Sequence, residues 1–307
     1  MKKIVIAPQG FKGTFSPKQA AAIFATRAKK LYPDAEIVLL PVADGGDGTL
    51  EVLAEKTVEI EVSGPFGEPI FAPLGITGNV AIIELAKIAG LALVPENERN
   101  PLKTTTCGVG EAIVAAIDLG FREIWVGLGG SATCDGGVDA ALIAAKDPRM
   151  NDCRIIALCD VDSTLFEAKK YLRQKGADEK MQEQLIKRLE MLEALFPGAA
   201  DWPGGGAAGG AGAGLAIFLG AVLVPGAEWV LEKIGFADAI ADADLVITGE
   251  GELNLQTLAG KAPAAVARAA RAKGIKTLAV VGTSQDIEAE KLFDRVITIE
   301  HFLTGLW

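Results

Sequence analysis

Two rhythms of apolar and polar positions run along the chain, and they separate its ends from its middle. An apolar run over Lys3–Ala7 predicts a strand, the spacing over Ser16–Leu31 a helix, and Glu36–Val42 a second strand. Ser16 suits an N-cap and Pro17 the first helical position, which places that helix start. Another helix opens between Gly48 and Glu55. After Asp238 the same alternation returns: Leu245–Thr248, Thr277–Val281 and Val296–Ile299 read as strands, and Pro263–Lys273 as a helix. Strand–helix–strand alternation of this kind predicts a parallel sheet with right-handed crossovers.

The middle reads differently. Val58–Val62, Ile70–Ile76 and Val80–Glu84 are short strands separated by Gly-Pro and Gly-Glu-Pro turns, an antiparallel signature. A helix at Val109–Leu119, strands at Glu123–Leu128 and Arg154–Cys159, and a charged helical stretch over 165–196, clearest at Asp178–Leu195, follow. The fold class expected is α/β. A doubly wound, Rossmann-like parallel-sheet domain would form from residues 1–57 and 238–307, with an inserted mixed α+β domain at 58–237. The active site would lie in the cleft between them. Residues 202–227 carry no charge and are long enough to cross a bilayer, but glycine crowds the first half. A loop over Gly204–Gly214 feeding a buried helix at Leu215–Leu223 is the better reading.

Composition narrows the function. A net charge of −10 and a pI near 4.8 leave no basic patch for nucleic acid or an anionic membrane. Four cysteines without a C-x-x-C pair and a single histidine argue against zinc and for free thiols in a reducing cytosol. Met1 is followed at once by a strand, leaving no room for a signal peptide, so a cytoplasmic protein is expected.

Candidate chemistry collects where strands end. After Leu245–Ile247 a loop carries Glu250 and Glu252 among glycines, then Gln256, Thr257 and Lys261 ahead of an alanine-rich helix. Carboxylates at a strand's carboxyl end, beside a helix N-terminus, suit a metal ion together with a phosphate. Asp44 and Asp47 flank Gly45-Gly46 after another strand; the same residues would also make a plain Asp-Gly turn with Asp47 capping a helix. Gly129, Gly130, Ser131 and Thr133 offer backbone that can approach a phosphate without a Cβ, plus hydroxyl donors, and Asp135 could face a cation. Asp160 and Asp162 share a face if the chain stays extended, suiting Mg²⁺ or a poised base; a polar strand end is the plainer alternative. The Gly204–Gly214 run, including Gly206, Gly209 and Gly210, is either a nest of N–H groups or a packing loop, and no Gly-Lys-Ser/Thr follows it as a P-loop requires. Lys12 after the first strand could neutralise a carboxylate or phosphate, or be a surface lysine. Three loops of this grammar point to phosphoryl transfer.

Together these loops resemble the type I glycerate kinase family over nearly the whole chain. The likeness rests on Val5-Ile-Ala-Pro8 with Phe11-Lys-Gly13, Pro41–Thr49, Arg99–Thr106, Gly127–Thr133, Cys159-Asp-Val-Asp162, Gln174-Lys-Gly-Ala177, Gly206–Gly210, Asp244–Gly251 and Gly260-Lys-Ala-Pro263. The resemblance implies ATP, Mg²⁺ and transfer to a hydroxyl of D-glycerate, most simply the 2-hydroxyl. Under that reading Asp44 is the base, with Lys12 and Asp160 also catalytic. Gly129, Gly130, Ser131, Thr133, Gly206, Gly209, Gly210 and Lys261 hold the nucleotide. Lys12, Arg99, Asp47, Gln256 and Thr257 bind glycerate, and Asp160, Asp162 and Glu250 bind Mg²⁺. The partners expected are glycerate and ATP, with no nucleic acid or membrane and a homodimer as the candidate assembly.

Departures from the family pattern keep alternatives open. Gln9-Gly10 stands where Asp-Ser is usual, Ser163-Thr-Leu165 where Asn-Pro-Leu is usual, and Asn254 where the family has Asp. The chain is also shorter after Gly137 and lacks the family's last helix. An amide can hydrogen-bond a hydroxyl but cannot serve as a base. A silent descendant that binds nucleotide or a sugar acid, or a kinase for a related hydroxy acid, fits the same changes.

Overall fold

The computed structural model describes residues 1–258 and 260–305; the side chains of Leu255 and Gln256 lie outside the described residues. Among these, eleven strands form: β1 (Lys3–Ile6), β2 (Glu36–Leu39), β3 (Lys56–Ser63), β4 (Pro69–Thr77), β5 (Val80–Glu84), β6 (Glu123–Leu128), β7 (Arg154–Cys159), β8 (Val222–Pro225), β9 (Leu245–Leu253), β10 (Lys276–Ser284) and β11 (Arg295–Thr298). The chain divides into two compact units, one of Met1–Asp44 with Ala227 onward, the other of Gly45–Gly226.

The first unit is built on a parallel sheet of order β11-β10-β9-β1-β2. Successive side chains of a strand point to opposite faces, and β1 and β9 feed two cores accordingly. Ile4, Ile6 and Ile247 pack with Phe24 and Phe302 on one face; Val5 and Val246 pack with Leu231, Phe236 and Val266 on the other. Burial on both faces is why these strands read as unbroken apolar runs, and it makes the sheet doubly wound. The helix Pro17–Leu31 begins in a capping box, Ser16 Oγ accepting from Gln19 N and Gln19 Oε1 from Ser16 N. Its buried Ala20, Phe24 and Ala28 recur every four residues, and Phe24 meets Phe302 edge to face at 5.3 Å.

The second unit carries a mixed sheet of order β3-β4-β5-β6-β7-β8, antiparallel through β5 and parallel from there on. The helix Cys107–Asp118 lays Ile113 and Ile117 on a core with Ile83, Val126 and Ala157. Glu179–Leu195 closes a smaller core through Leu185, Leu189 and Leu192. The short helix Thr49–Leu53 packs against β4 and β5, while Ala227 and Leu231 join the first unit's core. The units therefore part at 44/45 and 226/227, whereas the change of sequence rhythm fell at 57/58 and 237/238.

Three local expectations are corrected. The segment expected to be a loop after Thr248 continues as strand to Leu253, because β10 stays paired with it through Leu253↔Ser284. The Gly204–Gly214 run is only in part the loop expected: a left-handed turn at Ala208–Gly210 interrupts the helical segment Ala207–Leu219, which ends on left-handed Gly220, and the apolar Val222–Pro225 forms an edge strand instead of continuing the helix. Within 165–196, Leu165–Tyr171 and Arg173–Lys175 are 3₁₀ turns ahead of the α-helix. Among the described residues no helix is long and apolar enough to cross a membrane.

Candidate active site

In the first unit, ionisable groups gather at the carboxyl end of the parallel sheet. Extension of β9 carries Glu250 beyond the strand's pairing with β1, and Gln9 N donates to Gly249 O at 2.9 Å beside it. Glu250 is 4% exposed. Its Oε1 accepts from Thr257 Oγ1 at 2.7 Å, and its Oε2 lies 3.8 Å from Lys261 Nζ. Burial, opposed by Lys261, the Thr257 hydroxyl and Lys12 and aided by the Asp44 charge, pushes the Glu250 carboxyl up to about 7. Asp44, 3% exposed, accepts from Gln9 Nε2 at 2.6 Å. Lys12 is exposed, on the loop that turns back at Phe11 and Phe15. Thr257 owes its place to Asn254, whose carbonyl accepts Thr257 N and whose N–H donates to Thr257 Oγ1.

The second unit gathers backbone and hydroxyls instead. The turns Gly45-Gly46 and Gly127–Gly129 press directly on one another: a Cβ on Gly127 would meet the Gly45 carbonyl, and one on Gly129 would fall on Gly46 Cα. Two carboxylates border the bare loop. Asp160 Oδ2 would stand 3.0 Å from a Cβ on Gly129, and Asp47 Oδ2 3.2 Å from one on Gly130. Behind it Lys175 is fully buried, donating from Nζ to Ser131 Oγ at 2.7 Å and to Thr133 O at 2.6 Å. Burial holds this ammonium below its usual range, opposed by the nearby charges of Cys134, Asp160 and Asp135. Residues Ala208, Gly209 and Gly210 form a left-handed turn at φ 52°, 71° and 91°, and a Cβ on Gly209 would strike Thr133 O. A Cβ on Gly206 would come 3.0 Å from Ser163 Oγ. Among the described residues the buried Thr133 Oγ1 and Ser163 Oγ have no hydrogen-bond partner.

The structure thus brings together Asp44, Lys12, Glu250, Thr257 and Lys261 in one unit, and Asp47, Gly129, Gly130, Ser131, Thr133, Asp160, Gly206, Gly209 and Gly210 in the other. Gln256, expected at the substrate, has its side chain outside the described residues. Arg99 sits against the Gln174–Gly176 turn; its Nη1 donates to Gln174 O at 3.5 Å, and its buried Nε has no partner among the described residues. Asp162 is exposed, its carbonyl accepting Gly204 N. Asp135 does not face a cation site: it accepts from Thr106 N, Thr106 Oγ1 and Gly137 N, and so secures the start of the Cys107–Asp118 helix. Sequence reasoning missed Lys175. The signal present was a lysine inside Gln174-Lys-Gly-Ala177, where left-handed Gly176 at φ 89° turns the chain.

One unit supplies paired carboxylates and lysines at a parallel sheet's carboxyl edge; the other supplies glycine backbone, hydroxyls and a buried ammonium. This is the equipment of an α/β phosphotransferase. Residues 4–145 and 138–301 match the model of the glycerate kinase family. The chain is 37% identical to the glycerate kinase of Halalkalibacterium halodurans, over 92% of this chain and 86% of that one. It is 38% identical to the glycerate 2-kinase of Escherichia coli, again over 92% and 86%. A crystal structure of a candidate glycerate kinase 2 from Salmonella typhimurium LT2 matches with a TM-score of 0.78 at 34% identity, covering 99% of this chain and 94% of that one. The chain belongs to the glycerate kinase family, and is a phosphotransferase with a hydroxyl acceptor.

Proposed function

We propose that this kinase transfers the γ-phosphoryl group of ATP to a hydroxyl of D-glycerate, giving 2-phosphoglycerate. The observation that carries the reading is Asp44: a buried carboxylate, held through Gln9, at the ligand-binding edge of a parallel sheet. Asp44 accepts the proton of the attacking hydroxyl. The substrate oxygen forms its bond to phosphorus as the bond to the bridging oxygen of ADP breaks. Lys12 lies where it neutralises anionic charge on the acceptor. In the other unit, Arg99 carries a buried Nε with no partner among the described residues, which an anion would satisfy.

The nucleotide phosphates belong on Gly129, Gly130, Ser131 and Thr133 together with the Gly206–Gly210 turn. The bare backbone there, and the unpaired hydroxyls of Thr133 and Ser163, support that placement. Lys261, paired with Glu250, contributes charge at the start of the Ala262–Ala272 helix. Among the described residues no three His, Cys, Asp or Glu side chains gather as a metal cage. Mg²⁺ asks for less, typically one or two carboxylates with phosphate and water. Asp160, bordering the Gly129 loop, fits that demand and would hold the ion, with Asp162 two residues on; the ion would supply charge neutralisation. Net charge −10 and four free cysteines accord with a cytoplasmic setting.

A coupled ADP-release assay with ATP, Mg²⁺ and D-glycerate tests the reaction. The expected result is turnover that requires the acid and falls about 10²- to 10⁴-fold in kcat on Asp44→Asn. ADP release indifferent to glycerate would sink the reading, and an Asp44→Asn enzyme at full rate would remove Asp44 as the base.

A further inference from the structure

Among the described residues nothing satisfies the side-chain oxygen of Gln9. Its side chain is 9% exposed. A carboxylate only accepts hydrogen bonds, so the 2.6 Å contact with Asp44 Oδ2 turns the amide NH₂ toward Asp44 and directs Oε1 the other way. There Oε1 is buried with no partner among the described residues. A buried amide oxygen left unpaired carries the full cost of its lost hydration, and native structures keep few such groups unless a ligand or water completes them. The surroundings say what kind of ligand. Lys12, Lys261 and the carboxylates Asp44 and Glu250 make this a polar edge of the sheet, and the unpaired oxygen calls for a donor: an O–H or N–H group.

Resting on the proposed reaction, we infer that Gln9 Oε1 accepts a hydrogen bond from the second, non-reacting hydroxyl of the acceptor substrate, making Gln9 a specificity-determining residue. One amide then performs two tasks. Its NH₂ holds Asp44 oriented toward the hydroxyl that attacks phosphorus, and its oxygen reads the neighbouring hydroxyl. The substrate class is a small vicinal dihydroxy acid rather than a monohydroxy acid. An acidic side chain at position 9 would stand as a second charge against Asp44; the amide keeps the contact attractive and still accepts.

The test is a cycle between residue and substrate group. Wild type and Gln9→Met, a variant of similar length that keeps the site filled, are assayed for kcat/KM with D-glycerate, lactate and 3-hydroxypropionate. Each of the two analogues lacks one hydroxyl. Wild type should prefer glycerate to the analogue that keeps the reacting hydroxyl by roughly 10- to 100-fold, and Gln9→Met should shrink that ratio to within a few fold. A ratio unchanged by the substitution overturns the inference, because a merely structural loss would slow all substrates alike. Calorimetric titration of wild type with the same three acids separates this inference from the reaction it rests on. If glycerate binds but no phosphoryl transfer occurs, the proposed reaction fails. A binding preference for the dihydroxy acid that Gln9→Met abolishes would still uphold Gln9 as the reader. No preference, or one that survives Gln9→Met, would refute it. Should Gln9→Met not fold, the wild-type preference among the three acids decides: equal affinity for glycerate and both analogues overturns the inference, and selective loss with one missing hydroxyl upholds it.

Discussion

The two units solve the problem of handling anions with different materials. In the first, carboxylates and lysines dominate, held by a hydroxyl and an amide: Glu250 answers to Lys261 and Thr257, and Asp44 to Gln9. In the second, the candidate phosphate-holding parts are mostly backbone and hydroxyl, braced from behind by one buried lysine. Charged side chains can change protonation and so do chemistry, at the cost of sensitivity to pH. The amide backbone does not change charge with pH in the working range. It is fixed by sterics, and its weakness is that a single methyl group can destroy it. The contrast matches the roles proposed for the two units, proton transfer in one and phosphate holding in the other.

That contrast gives an ordered set of ways to break it. The largest effect is expected in the backbone region. Gly209 combines φ 71° with a Cβ position that would strike the Thr133 carbonyl, so Gly209→Ala should lose about 3 kcal/mol or more of stability, or fail to yield folded protein. Thermal or urea unfolding measures it, and a neutral result would mean the turn is not held against Thr133.

Next comes a pH effect confined to the ionisable region. Glu250 has an unperturbed value of 4.5 and is pushed up to about 7 in the fold. Between those values the folded protein keeps a proton that the unfolded chain has released. Its stability contribution is therefore fully present below pH 4.5 and is lost as pH rises through 7. Glu250→Gln should remove this loss, so that in nucleotide-free, metal-free protein the variant gains on wild type by something on the order of 3 kcal/mol between pH 4.5 and 8. A constant difference across that range would show that Glu250 titrates normally.

Lys175→Met sharpens the comparison from the other side. Removing a desolvated ammonium offsets the loss of two hydrogen bonds, so stability should move by only about 1 kcal/mol. The released Ser131–Thr133 loop should instead raise KM for ATP roughly tenfold, with KM for glycerate nearly unchanged. Equal changes in both constants would argue against a division of labour between units. The smallest effect is Ala208→Gly. Ala208 is the non-glycine residue found at positive φ among the described residues. Relief of its left-handed strain should stabilise by about 0.5 kcal/mol, less whatever packing its buried methyl group supplied.

Much of this protein is determined by local pattern. Runs such as Lys3-Ile-Val-Ile6 and Leu245-Val-Ile-Thr248 announce strands covered on both faces, Ser16-Pro17 a helix start, and the antiparallel turns around Gly64 and Gly67 a change of architecture. The glycines of Gly127–Gly130 and the acids Asp44, Asp160 and Glu250 are legible as candidates because glycine, hydroxyl and acid coincide at several strand ends, although each type alone is common in turns. What needed the tertiary structure is whatever depends on a partner far along the chain. Pairing with β10 keeps residues 249–253 in a strand, although their glycines and acids read as a loop. Thr133 and Leu189 pack against Gly209 and Gly210, and the Ala208–Gly210 turn sits inside a helical segment that composition alone reads as a flexible run. Asp135 read as a cation ligand until Thr106 claimed it, and Lys175 read as one of many lysines until burial placed it under Ser131. Gln9 read as a lost acid, and only its contact with Asp44 and its unpaired oxygen give it a role. Periodicity and turn chemistry act over a few residues and can be read in order. Burial, pairing and charge environment are set by neighbours that folding brings together from hundreds of residues apart.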